Sequence, residues 1–218
     1  MDFHNILITV LVYAIPVIFA ITLHEAAHGY VSRRFGDSTA YMLGRVTLNP
    51  VKHIDPLGTV LIPIVTLALS PFMFGWAKPV PVNFHNLKPL RAGMFWVAAA
   101  GPGSNIAQMA AWAIAAAIIA RSVDPVGLVG PFWLSVADAG IKVNIMFALL
   151  NLLPILPLDG GRIVTSILPA GLSNAYQGTE RFGMIILLVL LFTGVIGWVL
   201  NPLYRGMYTH TLKLVGLA

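Results

Sequence analysis

Residues 6–28 read ILITVLVYAIPVIFAITLHEAAH: residues 6–23 carry no formal charge, and two histidines and a glutamate follow with no break in the helical pattern. An apolar run of this length approaches the roughly 20 residues that a membrane-spanning helix requires, and it exceeds the roughly 7–15 of a signal-peptide core. No Lys or Arg precedes it. The reading is therefore a retained transmembrane helix whose polar exit holds His24, Glu25 and His28. Pro16 predicts a kink or the start of an inner half-helix.

The remainder of the 218 residues agrees. Hydrophobic residues make up 58% and charged residues 10%, against about 25% charged in a soluble domain, and the mean hydropathy is +0.84. Disorder is excluded and the lipid bilayer is the expected surrounding. The net charge of +5 comes from Lys and Arg scattered singly between apolar runs, which argues against a nucleic-acid partner. With no cysteine, disulfides, thiolate nucleophiles and Cys-ligated metals are excluded, and any metal takes His or carboxylate ligands.

Four more apolar stretches follow at residues 56–76, 94–120, 132–153 and 183–200, and residues 204–218 read as an amphipathic tail. Residues 45–50 and 75–83 look extended, the latter because Pro79 and Pro81 alternate with Val80 and Val82; they read either as short strands or as membrane-surface connectors. The expected fold is an all-α integral membrane protein: a polytopic transmembrane helix bundle with a re-entrant segment and short membrane-associated β-strands. It forms one domain over residues 1–218, with a core at about 6–161 and a C-terminal helix and tail at 183–218.

His24-Glu25-Ala26-Ala27-His28 is an H-E-x-x-H motif. On a helix it sets two imidazoles one turn apart on one face, suited to gripping one Zn²⁺, with Glu25 about 100° round the helix. Such groups are costly in hydrocarbon unless paired or metal-bound, so an intramembrane site is the reading to prefer over a plain polar helix end. Catalytic zinc normally has three protein ligands. Among the acidic residues, Asp138 pairs by spacing with Lys142, while Asp37, Asp55 and Glu180 fall in loops without special context. Asp159 follows Pro154 and Pro157 and precedes Gly160 and Gly161, where a broken helix would present a ligand inside a protein-lined cavity. The alternative is simple helix termination, with Asp159 as the N-cap of the next helix. His4, His53, His85 and His210 read as interfacial.

Three motifs in this order, His24 to His28, Gly101-Pro102-Gly103-Ser104-Asn105, and Asn151 to Gly160 ending in Leu158-Asp159-Gly160, together frame residues 6–161. In these the chain resembles the site-2 proteases, the intramembrane zinc metalloproteases, in their compact form without PDZ or CBS domain. Residues 76–82, WAKPVPV, are also similar to compact members. The resemblance implies one zinc per chain on His24, His28 and Asp159, Glu25 as catalytic acid/base, and Asn151 as a holder of the substrate strand. It implies a transmembrane protein or peptide as substrate. Asn105 is a second candidate to bond into the site, while Gly101, Gly103 and Ser104 suit close helix packing. The competing readings are a catalytically silent homologue and a membrane metal-binding or transport protein; oligomeric state stays open.

One zinc constrains the topology. If all five apolar stretches spanned, His28 and Asp159 would lie about 30 Å apart on opposite faces. Treating residues 56–76, with Pro63 and Pro71, as re-entrant brings them together. With the N-terminus outside, nine of the Lys and Arg residues then fall inside and three outside, as the positive-inside rule requires. The expected setting is a multi-pass protein of the cell membrane with its site toward the cytoplasm. In this cysteine-free chain, a single Lys88→Cys is expected to react with an impermeant maleimide from the cytoplasmic side only; labelling from outside alone would reverse the topology.

Overall fold

A computed structural model describes residues 3–61, 78–122 and 129–217. The elements are α1 (Phe3–Arg34), a short α2 (Thr39–Met42), α3 (Leu90–Ser122), α4 (Val129–Asn151), α5 (Asp159–Ile167), α6 (Ala170–Gln177), α7 (Glu180–Phe192) and α8 (Val195–Leu214). Three helices, α1, α3 and α4, are long and apolar enough to cross a membrane, and α6 with α7 forms a fourth candidate bent by 62°. The protein is thus a membrane helix bundle. Leu7, Val10, Leu11, Ile114, Ile118, Val189 and Phe192 are exposed, an outward apolar belt suited to lipid.

The order of contacts fixes the directions. Along α1, Val12 packs with Val136, Ala139 and Trp112, and Ala20 and His24 reach Asn105. His24 and His28 lie against Gly101. Hence α3 runs antiparallel to α1 and α4 runs parallel to it. Small residues permit this closeness, since a Cβ at Gly140 would sit 2.4 Å from the Trp112 ring. A second cluster, Ala113, Ala116, Ala137, Ile141 and Ile145, receives Tyr204, Met207 and Tyr208 of α8.

Several expectations are corrected. Residues 183–200 do not form one helix: they are split by Gly194, which sits at φ +77 between α7 and α8, a conformation that glycine adopts at no steric cost. The tail from residue 204 belongs mostly to α8. No strand forms among the described residues. Residues 78–83 carry no regular structure; Pro79 and Pro81 lack an N–H, and several of the other backbone groups bond elsewhere. The Val80 N–H donates to Glu25, the Asn83 N–H to Asp37, and Arg45 donates to the carbonyls of Lys78 and Pro79. Residues 46–48 form bends that lead into a 3-10 turn at Pro50–Lys52.

Of the stretch at residues 56–76, only the first six residues are described, as a π-helical turn at Pro56–Leu61. Pro63, Pro71 and residues 75–77 lie outside the described residues. The two flanks of the connector nevertheless meet: the Lys88 N–H donates to the Phe35 carbonyl at 2.8 Å. The chain between α1 and α3 therefore leaves and returns at one end of the bundle, as a single zinc requires.

Asp37, expected in an uneventful loop, is fully buried. Its carboxylate accepts from the Thr39 N–H and hydroxyl, the Asn83 N–H and the Asn86 amide, tying the α1 exit to the 78–89 segment. Burial pushes its pKa up, but hydrogen bonds from Thr39, Asn86 and Asn83 outweigh this and hold it below the usual carboxylate value. A depressed folded pKa contributes stability that is fully present above the unfolded value of about 3.9 and is lost as pH falls through the folded value. Asp37→Ala is expected to cost about 2–4 kcal/mol in detergent at pH 7, with the gap to wild type closing as thermal unfolding is repeated toward pH 3.

Candidate metal centre

His24 and His28 stand one turn apart on α1, 8% and 9% exposed. His28 Nδ1 lies 2.7 Å from the Val97 carbonyl, which can only accept. His24 Nδ1 lies 2.7 Å from Asn105 Oδ1. The Asn105 amide is oriented by its other bonds, since its nitrogen donates to the Ala20 carbonyl and to Asn144 Oδ1. Each neutral imidazole thus carries its proton on Nδ1 and presents a lone pair at Nε2.

Those two Nε2 atoms are 3.0 Å apart. Asp159 reaches them from the first turn of α5, with Oδ2 3.3 Å from His24 and Oδ1 3.4 Å from His28. Three lone-pair donors therefore converge on one point, and Asp159 Oδ2 is buried without a hydrogen-bond partner among the described residues. Such an arrangement is unfavourable until a cation sits between the donors. A tetrahedral zinc with ligand bonds of about 2.0–2.2 Å separates its ligand atoms by roughly 3.3 Å, close to the edges seen here. Oxygen and imidazole nitrogen both suit zinc. The alternative for Asp159 does not hold: Leu158, not Asp159, is the N-cap of α5, and its first turn has no side-chain cap bond.

Glycines let these parts close. A Cβ at Gly101 would fall 2.4 Å from His28 Nε2 and 2.5 Å from His24 Cε1, so only glycine lets α3 lie against the donors. Gly103, from the same motif, faces open space, so the close approach belongs to Gly101. Behind the Asp159 turn, a Cβ at Gly160 would meet the Leu152 carbonyl at 2.3 Å, and one at Gly183 of α7 would overlap the Leu156 carbonyl. Arg162 of α5 pairs with Glu180 of α7 and lies over the Phe84 ring. In this way α7 buttresses the turn that carries Asp159.

Glu25 Oε2 accepts the Val80 N–H at 2.7 Å. Asn151, at the last turn of α4, donates to the Phe147 carbonyl; it is not part of the donor cluster. His53 is buried and bonds the Thr47 carbonyl, apart from the cluster. The ion pair expected between Asp138 and Lys142 is present at 2.6 Å and is joined by the Tyr208 hydroxyl. Sequence reasoning missed Asn144, fully buried behind Asn105; an asparagine two residues after Lys142 within a membrane-spanning helix was its only signal.

The donor set and its placement make a candidate metal site of the H-E-x-x-H class on a helix of a membrane protein. Comparison with known proteins narrows this. Bacillus subtilis YwhC, provisionally named a zinc metalloprotease, is 37% identical over 201 residues, covering 92% of this chain and 89% of the relative. Rip2 of Mycolicibacterium smegmatis, named likewise, is 29% identical over 86% of this chain and 69% of its own length. Rip3 of Mycobacterium tuberculosis is 28% identical over 89% of this chain and 41% of its own length. No family model matches the chain, and no solved structure does. The chain belongs to this site-2 protease-type family of zinc metalloproteases, and zinc is its cofactor.

Partners behind metal-ligating histidines fix tautomer and orientation, and their loss typically costs 10–100-fold in metal affinity. Asn105→Leu, which takes the partner from His24 Nδ1 and the donor from Asn144 Oδ1, is expected to weaken zinc binding by about that factor in a competition titration with a chelator, with helical circular dichroism unchanged.

Proposed function

We propose that the protein is an intramembrane endopeptidase that cleaves transmembrane segments of other membrane proteins, with His24, His28 and Asp159 holding zinc and Glu25 as general acid/base. The observation that carries this reading is the convergence of three lone-pair donors beside Glu25 on a helix long enough to span the bilayer. When bound, zinc lowers the pKa of a water and polarises the scissile carbonyl. Glu25 takes the proton from the attacking water and returns it to the leaving amine. The Val80 N–H, a charge-assisted donor to Oε2, holds the carboxylate in place before substrate arrives. Asn105 and the Val97 carbonyl keep both imidazoles in the tautomer that binds metal.

A helical substrate hides its carbonyls in its own hydrogen bonds and must unwind locally before attack. Asn151 is assigned to that unwound strand: its nitrogen already donates to Phe147, and its amide oxygen is the acceptor for a substrate N–H. The whole chain acts as one unit in the cell membrane, with its N-terminus outside and the site toward the cytoplasm.

Zinc per chain and cleavage of a single-pass substrate, measured on the same detergent-purified samples, test the assignment. Wild type and Glu25→Gln are expected to hold one zinc each, with cleavage by Glu25→Gln reduced about 10²–10⁴-fold. Asp159→Ala is expected to lose zinc and cleavage together. Metal flux that survives Glu25→Gln in proteoliposomes, without cleavage by wild type, would instead make the protein a transporter.

A further inference from the structure

On α1, Ile18, Thr22, Glu25 and Gly29 follow one another at spacings of four, three and four, so they form one ridge of the helix. The segment after α2 lies along this ridge. Val46 covers Gly29, where a Cβ would come within 2.7 Å of Val46 Cγ2 and 3.2 Å of Val80 Cγ1. Farther along, Leu48 and Pro50 face Ile18, Phe19, Thr22 and Leu23 across a cavity of about 100 Å³. The cavity therefore continues the Glu25 ridge toward the middle of the membrane-spanning helix. Thr22 lies about 4.5 Å and Ile18 about 10.5 Å below Glu25 along the axis.

Three properties indicate what the cavity takes. Its lining is aliphatic and aromatic carbon, with the Thr22 hydroxyl as the one side-chain polar group. Its mouth is on the outer surface of the bundle, since Ile18 and Phe19 are about half exposed while Thr22 is buried, so a segment arriving sideways through lipid meets it before meeting Glu25. Its volume is below the roughly 150 Å³ of a dry apolar cavity that holds benzene. That suits the side chain of Val, Leu or Ile and is too small for Phe or Trp. An unwound strand advances about 3.3 Å per residue, which places a side chain in the cavity one to three residues from a peptide bond held at Glu25.

We propose that this cavity is a substrate-specificity subsite that receives an aliphatic side chain one to three residues from the scissile bond, an assignment that rests on the protease reading above. Leu48, 68% exposed, forms one wall; Ile18 and Thr22 form the opposite one.

The test uses a zinc-loaded full chain and single-pass substrates randomised at the three residues on either side of the cleaved bond, with products read by mass spectrometry. At one of these positions wild type is expected to cleave Val, Leu or Ile substrates at least about 10-fold faster than Phe or Trp. Leu48→Ala is expected to raise the Phe-to-Leu ratio there about 10-fold, and Leu48→Trp to shift preference to Ala and Gly. A photocrosslinking benzophenone side chain in place of Leu48, in the Glu25→Gln background that keeps substrate intact, is expected to mark the same substrate position. Unchanged ratios in both Leu48 variants with cleavage intact, or a crosslink more than three residues from the scissile bond, would overturn the subsite and leave the protease reading standing. A zinc-loaded wild type that cleaves no substrate would overturn both.

Discussion

The structure is organised around three donor side chains that a single metal ion would join. His24 Nε2 and His28 Nε2 sit 3.0 Å apart, and the two carboxylate oxygens of Asp159 face them at 3.3 and 3.4 Å. The Nδ1 protons are committed to Asn105 and Val97. Gly101 brings α3 against the donors, and Gly160 and Gly183 let the Asp159 turn nest between α4 and α7. Each helix-packing choice around the site serves to hold three like-polarity groups where they would not stay unaided.

The parts of this arrangement that local sequence specifies were legible. A spacing of four puts His24 and His28 on one helical face without knowledge of anything else, and Pro154 and Pro157 announce a broken helix ahead of Asp159. Apolar length alone located α1, α3 and α4. What stayed hidden depends on partners remote in sequence. Asn144 matters because Asn105 faces it across the bundle, and Asp37 because Asn83 and Asn86 return to it. Gly183 matters because it rests on Leu156. The strands expected around Val46 and Val80 were misread because alternation of Pro with Val favours extension but does not supply a partner. Side chains of Glu25, Asp37 and Arg45 took the backbone groups that a ladder would have used.

The 78–89 segment has two duties that are physically one. It is anchored at Asp37 through Asn83 and Asn86, outside the apolar stretches, and at Phe35 through Lys88, and just ahead of these anchors it delivers the Val80 N–H to Glu25. The orientation of a carboxylate next to the donor cluster is thus set by a buried, multiply bonded aspartate at the end of the helix. Precision at the site is obtained from stability elsewhere.

The wide separation of the donors along the chain has a consequence for biosynthesis. Two of them emerge with the first helix, but the third lies beyond α4, and the glycine contact that steadies its turn lies later still, in α7. A nascent chain therefore passes through most of its membrane insertion with a pair of histidines that is not yet a three-ligand site. The metal centre is completed only when the C-terminal third has left the ribosome and folded back, so a prematurely ended product carries the H-E-x-x-H sequence without the site.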